Sequence, residues 1–211
     1  MIRKLSLTFA AAFVVFAMQT VAKADPITFT GGFGATATVS NFSLNAAGDK
    51  FTFTITNTSS SGSITAIGFN LPGEFGNFML VSSTNNNFTL ANDVSAQGGA
   101  QNFTNSFDFA LLTGNNFGGG TVSEGMWVGV GANPGQNTAT FTIMGDFGGL
   151  TAEQIAQSII LRFQGIGQRD ESTIGTPNPN APIPEPMTMI LFGTGLAGAA
   201  AAARRRRKGI E

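Results

Sequence analysis

The chain has 211 residues, no cysteine, no histidine and no tyrosine, twenty phenylalanines and a formal charge of −1. Without thiols or imidazoles it lacks disulfides, thiolate metal sites, cysteine nucleophiles, the commonest general base near neutral pH and the middle member of a serine triad. Twenty apolar rings with no phenol suit a packed interior better than a polar recognition surface.

The first element is a leader. Arg3 and Lys4 precede an apolar stretch over 5–18 broken only by Ser6 and Thr8, and Ala22 and Ala24 flank Lys23 just before Asp25. A basic n-region, a short apolar h-region and an A-x-A site make residues 1–24 a secretory signal peptide, not a spanning helix. Beyond it the charge balance changes. Residues 25–185 hold only Lys50, Arg162 and Arg169 against eleven acids, a net −8, so the basic residues belong to the two ends. That argues against a nucleic-acid partner, because phosphate binding needs concentrated Lys and Arg.

Residues 25–167 read as one all-β domain. The clearest strand is Phe51-Thr52-Phe53-Thr54-Ile55-Thr56, with Phe51, Phe53 and Ile55 inward and three threonines toward water. The same two-residue period recurs at Ile67, Phe69 and Leu71; at Phe107, Phe109 and Leu111; at Ala139, Phe141 and Ile143; and at Ile159, Leu161 and Phe163. In the last of these, Arg162 and Gln164 fall on the opposite side. Such alternation packs one strand face and solvates the other. Weaker strands are expected over 27–30, 35–44, 78–81 and 126–130. Runs of Asn, Gly and Pro at 45–49, 57–62, 71–73, 118–120 and 133–135 read as turns, and Asn85 to Asn87 with 95–105 as a longer exposed loop. Thr151 and Gln154 form a capping-box pair at the start of one short helix over 152–157. Eight to ten short strands predict two antiparallel sheets packed face to face, a jelly-roll-like β-sandwich.

Residues 168–186 lose periodicity and gain Pro177, Pro179, Pro182, Pro184 and Pro186, which predicts an extended linker. An uncharged stretch of about 17 residues, 187–203, follows. As a helix it would rise about 25 Å, the short end for a hydrocarbon core about 30 Å thick. Arg204, Arg205, Arg206, Arg207 and Lys208 come next. Each cation costs about 3 kcal/mol in the bilayer centre, so the cluster acts as a stop. The expectation is a single C-terminal transmembrane helix over 187–203, a basic cytoplasmic tail over 204–211 and an inner-membrane-anchored precursor with its domain on the periplasmic side.

Little chemistry is written in the domain. A glycosidase needs two carboxyls about 5–9.5 Å apart, yet the acids scatter through loops, and Asp108 between Phe107 and Phe109 is expected to be solvated. Asp170 and Glu171 with Asp146 or Asp49 could offer oxygen ligands to Ca²⁺, but a solvated turn is the simpler reading and no metal or cofactor is assigned. Lys50, the domain's single lysine, lies beside Asp49 as an ordinary solvated ammonium. Trp127, the single tryptophan, alternates with Gly129, while Met126, Val128 and Val130 share the other side. A core role is favoured over a sugar-stacking platform.

Pro184-Glu185-Pro186, the apolar stretch with Gly193, Gly195 and Gly198, and the cluster Arg204 to Lys208 stand in the order of a known signal. This arrangement resembles the PEP-CTERM sorting signal of exported proteins in Gram-negative bacteria, with Ile183 where the family usually has valine. The resemblance covers roughly the last 28 residues. It implies processing by an exosortase-type membrane protease at or near Pro184-Glu185-Pro186, with Glu185 part of a recognition signal for that enzyme. The family occurs mainly in bacteria that make extracellular polysaccharide. The segment 160–167 also resembles a late strand common in proteins with this tail. The expected function is therefore a non-enzymatic surface or extracellular-matrix protein associated with exopolysaccharide. The alternatives are a carbohydrate-binding module around Trp127 and the 85–105 loop, and, third, a polysaccharide-active enzyme.

Overall fold

Burial alternates without exception along β3 (Lys50–Asn57), where Phe51, Phe53, Ile55 and Asn57 are buried and the intervening threonines half-exposed. That pattern repeats along a chain whose computed structural model describes residues 26–73, 75–97, 104–133, 135–167 and 171–178. The other strands are β1 (Ile27–Gly31), β2 (Thr36–Leu44), β4 (Gly62–Phe69), β5 (Met79–Ser83), β6 (Thr89–Gln97), β7 (Thr104–Leu112), β8 (Met126–Val128), β9 (Thr138–Met144), β10 (Ile159–Ile166) and β11 (Glu171–Pro177). A helix, α1 (Ala152–Gln157), precedes β10.

The strands form one antiparallel sheet in the order β5-β9-β3-β2-β1-β11-β10-β4-β7-β6, with β8 also on β4. The two end strands approach each other. Asn92 of β6 accepts the Phe78 N–H at 3.0 Å and donates to the Phe78 carbonyl at 3.1 Å, just ahead of β5. The result is a nearly closed, jelly-roll-like barrel, not the expected sandwich of two sheets. The cause lies at β1 and β11: β1 pairs with both β2 and β11, and β11 passes the ladder on to β10, so nothing divides the sheet. Alternation reports which face is buried, and that face is the same whether the sheet is cut in two or curled on itself.

The barrel is filled by phenylalanine. Phe69 and Phe109 stack at 4.3 Å and 15°, Phe78 meets Phe109 at 4.1 Å, and Phe53 lies against Phe69 and Phe141 at 5.6 and 5.5 Å. Each such pair contributes about 0.5–1.5 kcal/mol beyond the area it buries. α1 packs against β2 with Ile155 and Ala156 buried, and its expected capping box is present: Thr151 Oγ1 accepts the Gln154 N–H at 3.2 Å and Gln154 Oε1 accepts the Thr151 N–H at 2.9 Å.

Four local expectations are corrected. Residues 95–97, read as loop, end β6, a strand whose short apolar side chains Val94 and Ala96 gave a faint period. Residues 171–177, read as the start of the linker, form β11 between β1 and β10. Its inward residues, Thr173 and Gly175, are too small to register as a hydrophobic face, and a Cβ on Gly175 would meet the Phe163 ring at 2.5 Å. In β7, Phe109 and Leu111 enter the barrel but Phe107 crosses to the other face, where its ring lies over Gly68. Asp108 between them is half-buried and accepts the Leu71 N–H at 2.7 Å.

The remaining correction concerns the membrane. Among the described residues no helix is long and apolar enough to cross a bilayer, α1 having six residues. The expected transmembrane helix, and with it the inner-membrane-anchored precursor inferred from it, is not found among the described residues. Residues 187–203, on which that expectation fell, lie outside the described residues, as do the leader and the basic tail.

Candidate functional site

The outer wall of the barrel carries two unlike surfaces. One is built by β1, β2, β3, β9 and β5. Their inward residues fill the core, so by the two-residue period the alternate positions point out. Register then aligns these positions into rows. Thr28, Thr38, Thr56 and Thr138 lie side by side across four strands; Ser40, Thr54 and Thr140 form the next row; Ser43, Thr52, Thr142 and Ser82 form a third. The hydroxyls of Thr52 and Thr142, Thr54 and Thr140, and Thr56 and Thr138 bond directly at 3.0, 2.8 and 3.1 Å. These bonds fix the rotamers, leaving a lattice of methyls and hydroxyls spaced about 4.8 Å across strands and about 6.7 Å along them. None of these eleven positions is charged. Lys50, opposite Met144, stands at the end of the face.

The second surface covers β4 and β10. After a register shift at Thr65, the pairs are Gln164 with Ser63 and Arg162 with Ala66. Residues 113–125 lie across them as a strap containing Gly114, Gly118, Gly119, Gly120 and Gly125. Thr113 donates its N–H and its hydroxyl to the Thr65 carbonyl at 3.1 and 3.0 Å, and Gln164 Nε2 donates to the Gly118 carbonyl at 3.3 Å. Gly125 lies so close that a Cβ would collide with Ser63 Oγ and the Ile64 carbonyl. The expectation that Arg162 faces away from the core holds, yet it is only 4% exposed. Desolvation by burial lowers its pKa.

Trp127 is neither a core residue nor a free platform. Across β8 it pairs with Ser63, half-buried, and its indole lies beside Gly129 and Gly131, where added Cβ atoms would approach to 3.5 and 3.2 Å. Of Met126, Val128 and Val130 only Met126 is fully buried, and Val130 is fully exposed. Four further carboxylates besides Asp108 have hydrogen-bond partners among the described residues. Asp49 Oδ1 accepts from Asn45, Asp146 Oδ1 from the Gly148 N–H, Glu124 Oε2 from Thr121 and Glu153 Oε1 from Gln157. Among the described residues no group of three or more His, Cys, Asp or Glu could hold a metal ion.

Only one threonine of each outward row was visible in advance, as the alternate residues of β3; the rest depends on which strands pair. The sorting residues Pro184, Glu185, Pro186 and Arg204 to Lys208 lie outside the described residues. Their assignment rests on the sequence. The chain is an exported β-barrel protein with a sorting tail. That tail, residues 182–207, matches the PEP-CTERM protein-sorting motif, which marks it as a substrate of an exosortase-family enzyme. No curated protein and no solved structure matches the chain.

Proposed function

We propose that this protein is a non-enzymatic component of the extracellular matrix that associates with uncharged polysaccharide through the threonine face of β1, β2, β3 and β9. The carrying observation is the register of that face: hydroxyls already bonded to one another at 2.8–3.1 Å lose little side-chain entropy when a partner docks. Methyls beside hydroxyls suit a sugar ring, which offers apolar C–H faces and hydroxyl edges. The charge agrees, since residues 25–185 carry a net −8 and an acidic polymer would be repelled, whereas the face itself is neutral. The sorting motif supports the same reading in so far as it marks an exported protein, which can meet extracellular polymers. The hydrogen-bonded carboxylates of Asp49, Asp108, Glu124, Asp146 and Glu153 support a role without catalysis.

The test is affinity electrophoresis of the full chain through gels containing a neutral glucan or an acidic polysaccharide. Retardation is expected in the neutral gel only. Thr54→Lys with Thr140→Lys, at the centre of the face, should weaken it at least about tenfold, since a desolvated charge and lost contacts cost more than about 1.4 kcal/mol. Undiminished retardation of a folded double variant would refute the reading.

A further inference from the structure

Four side-chain atoms on the outer faces of β4 and β10 are buried without a hydrogen-bond partner: Ser63 Oγ, Thr65 Oγ1, Arg162 Nε and Gln164 Oε1. They are neighbours. Gln164 and Ser63 pair directly, Arg162 is two residues from Gln164 on the same face, and Thr65 is the extra residue beside the Arg162–Ala66 pair. The strap of residues 113–125 covers them, fastened by its bonds to Thr65 and Gln164. A buried guanidinium cannot deprotonate to escape its cost, and orphaned polar atoms are rare in folded proteins. Four in one place ask for a common cause.

We propose that this cluster is an occluded site for one small hydroxycarboxylate, such as a uronic acid, held by Arg162 and closed by the strap. The donor and acceptor inventory selects that ligand. Arg162 presents a planar fork that fits the two oxygens of a carboxylate, and the Ser63 and Thr65 hydroxyls add donors. Gln164 differs. Its Nε2 is committed to the Gly118 carbonyl, so its Oε1 is an acceptor and needs an O–H. A hydroxyl beside the carboxylate supplies it, which acetate and phosphate dianion do not. Entry requires the strap to lift, which its five glycines allow in the backbone but which also withdraws the buried Phe117 ring from Phe107, 4.4 Å away. The site stands on a different part of the wall from the threonine face and does not depend on it.

Thermal unfolding of the full chain with D-galacturonate, D-galactose, acetate, phosphate or NaCl at equal ionic strength tests the assignment. Galacturonate near 100 times its Kd should raise the midpoint by about 5 °C over NaCl, and galactose should not. Arg162→Met should lose that rise, and should itself unfold at a higher temperature than the unliganded parent because a desolvated guanidinium with an unpartnered Nε–H is gone. Should that variant fail to fold, hydrogen exchange on the unmutated chain decides: amides of 113–125 should slow with galacturonate, and less so in Ser63→Ala with Thr65→Val. Equal effects of acetate, phosphate and galacturonate would mean an unselective anion pocket, and no effect beyond NaCl a pocket filled by water. Either result overturns the proposal.

Discussion

Asn92 and Phe78 meet where the curled sheet runs out of backbone pairing. One side-chain amide there replaces a ladder rung, giving and accepting one bond each to the Phe78 main chain. Asparagine alone among small side chains offers both a donor and an acceptor in the geometry of a peptide. Asn92→Ala should therefore cost about 1–3 kcal/mol, since it leaves a backbone N–H and C=O unpaired beside the buried Phe78 ring. Hydrogen exchange should quicken in β5 and around Phe78 while β10 is unchanged. Uniform quickening, or none at β5, would mean that the seam is held by something else. Asp108 teaches a related lesson at this scale. Its position between two phenylalanines predicts a solvated carboxylate, but Phe107 and Phe109 face opposite ways, and the carboxylate instead caps the Leu71 amide.

Among the elements, β11 carries weight out of proportion to its sequence. Glu-Ser-Thr-Ile-Gly-Thr-Pro has one large apolar residue, and that residue, Ile174, points away from the core. The strand is nonetheless the bridge between β1 and β10, and Asn178 continues the ladder by donating its N–H to the Thr28 carbonyl at 2.8 Å. A stop codon after Gly167 should leave two interior edges unpaired and abolish cooperative unfolding, whereas a stop after Asn180 should preserve it. A sigmoidal denaturant transition in the shorter chain would show that the wall closes without β11. β10 and β3, by contrast, declare themselves through large inward residues, and both were legible from alternation alone.

At the scale of the whole molecule, the barrel and the sorting tail answer different questions. The tail carries the sorting motif, which implies processing by an exosortase-family enzyme, and the barrel's wall is the part proposed to meet polysaccharide. In a host with an exosortase, Glu185→Ala should leave the chain unprocessed, so that mass spectrometry finds the C-terminal residues 187–211 still attached; the barrel's unfolding midpoint should stay the same, because residues 182–207 match the motif and the described fold ends before them. Normal processing of that variant would remove Glu185 from the recognition signal.

The sequence by itself determined the inward face of most strands, the phenylalanine core, the capped helix and the sorting signal. Each of these is local: a two-residue pleat, a side chain reaching three residues on, or a contiguous motif. Only the tertiary structure decided that the sheet curls into a barrel, that β11 belongs to it, that three rows of hydroxyls line up, and that Arg162 is buried under the strap. Those outcomes depend on pairings between residues such as Thr54 and Thr140 or Ser63 and Gln164, far apart in the chain. Alternation fixes which side a residue faces, but not which neighbour it meets there, and the neighbour sets the chemistry.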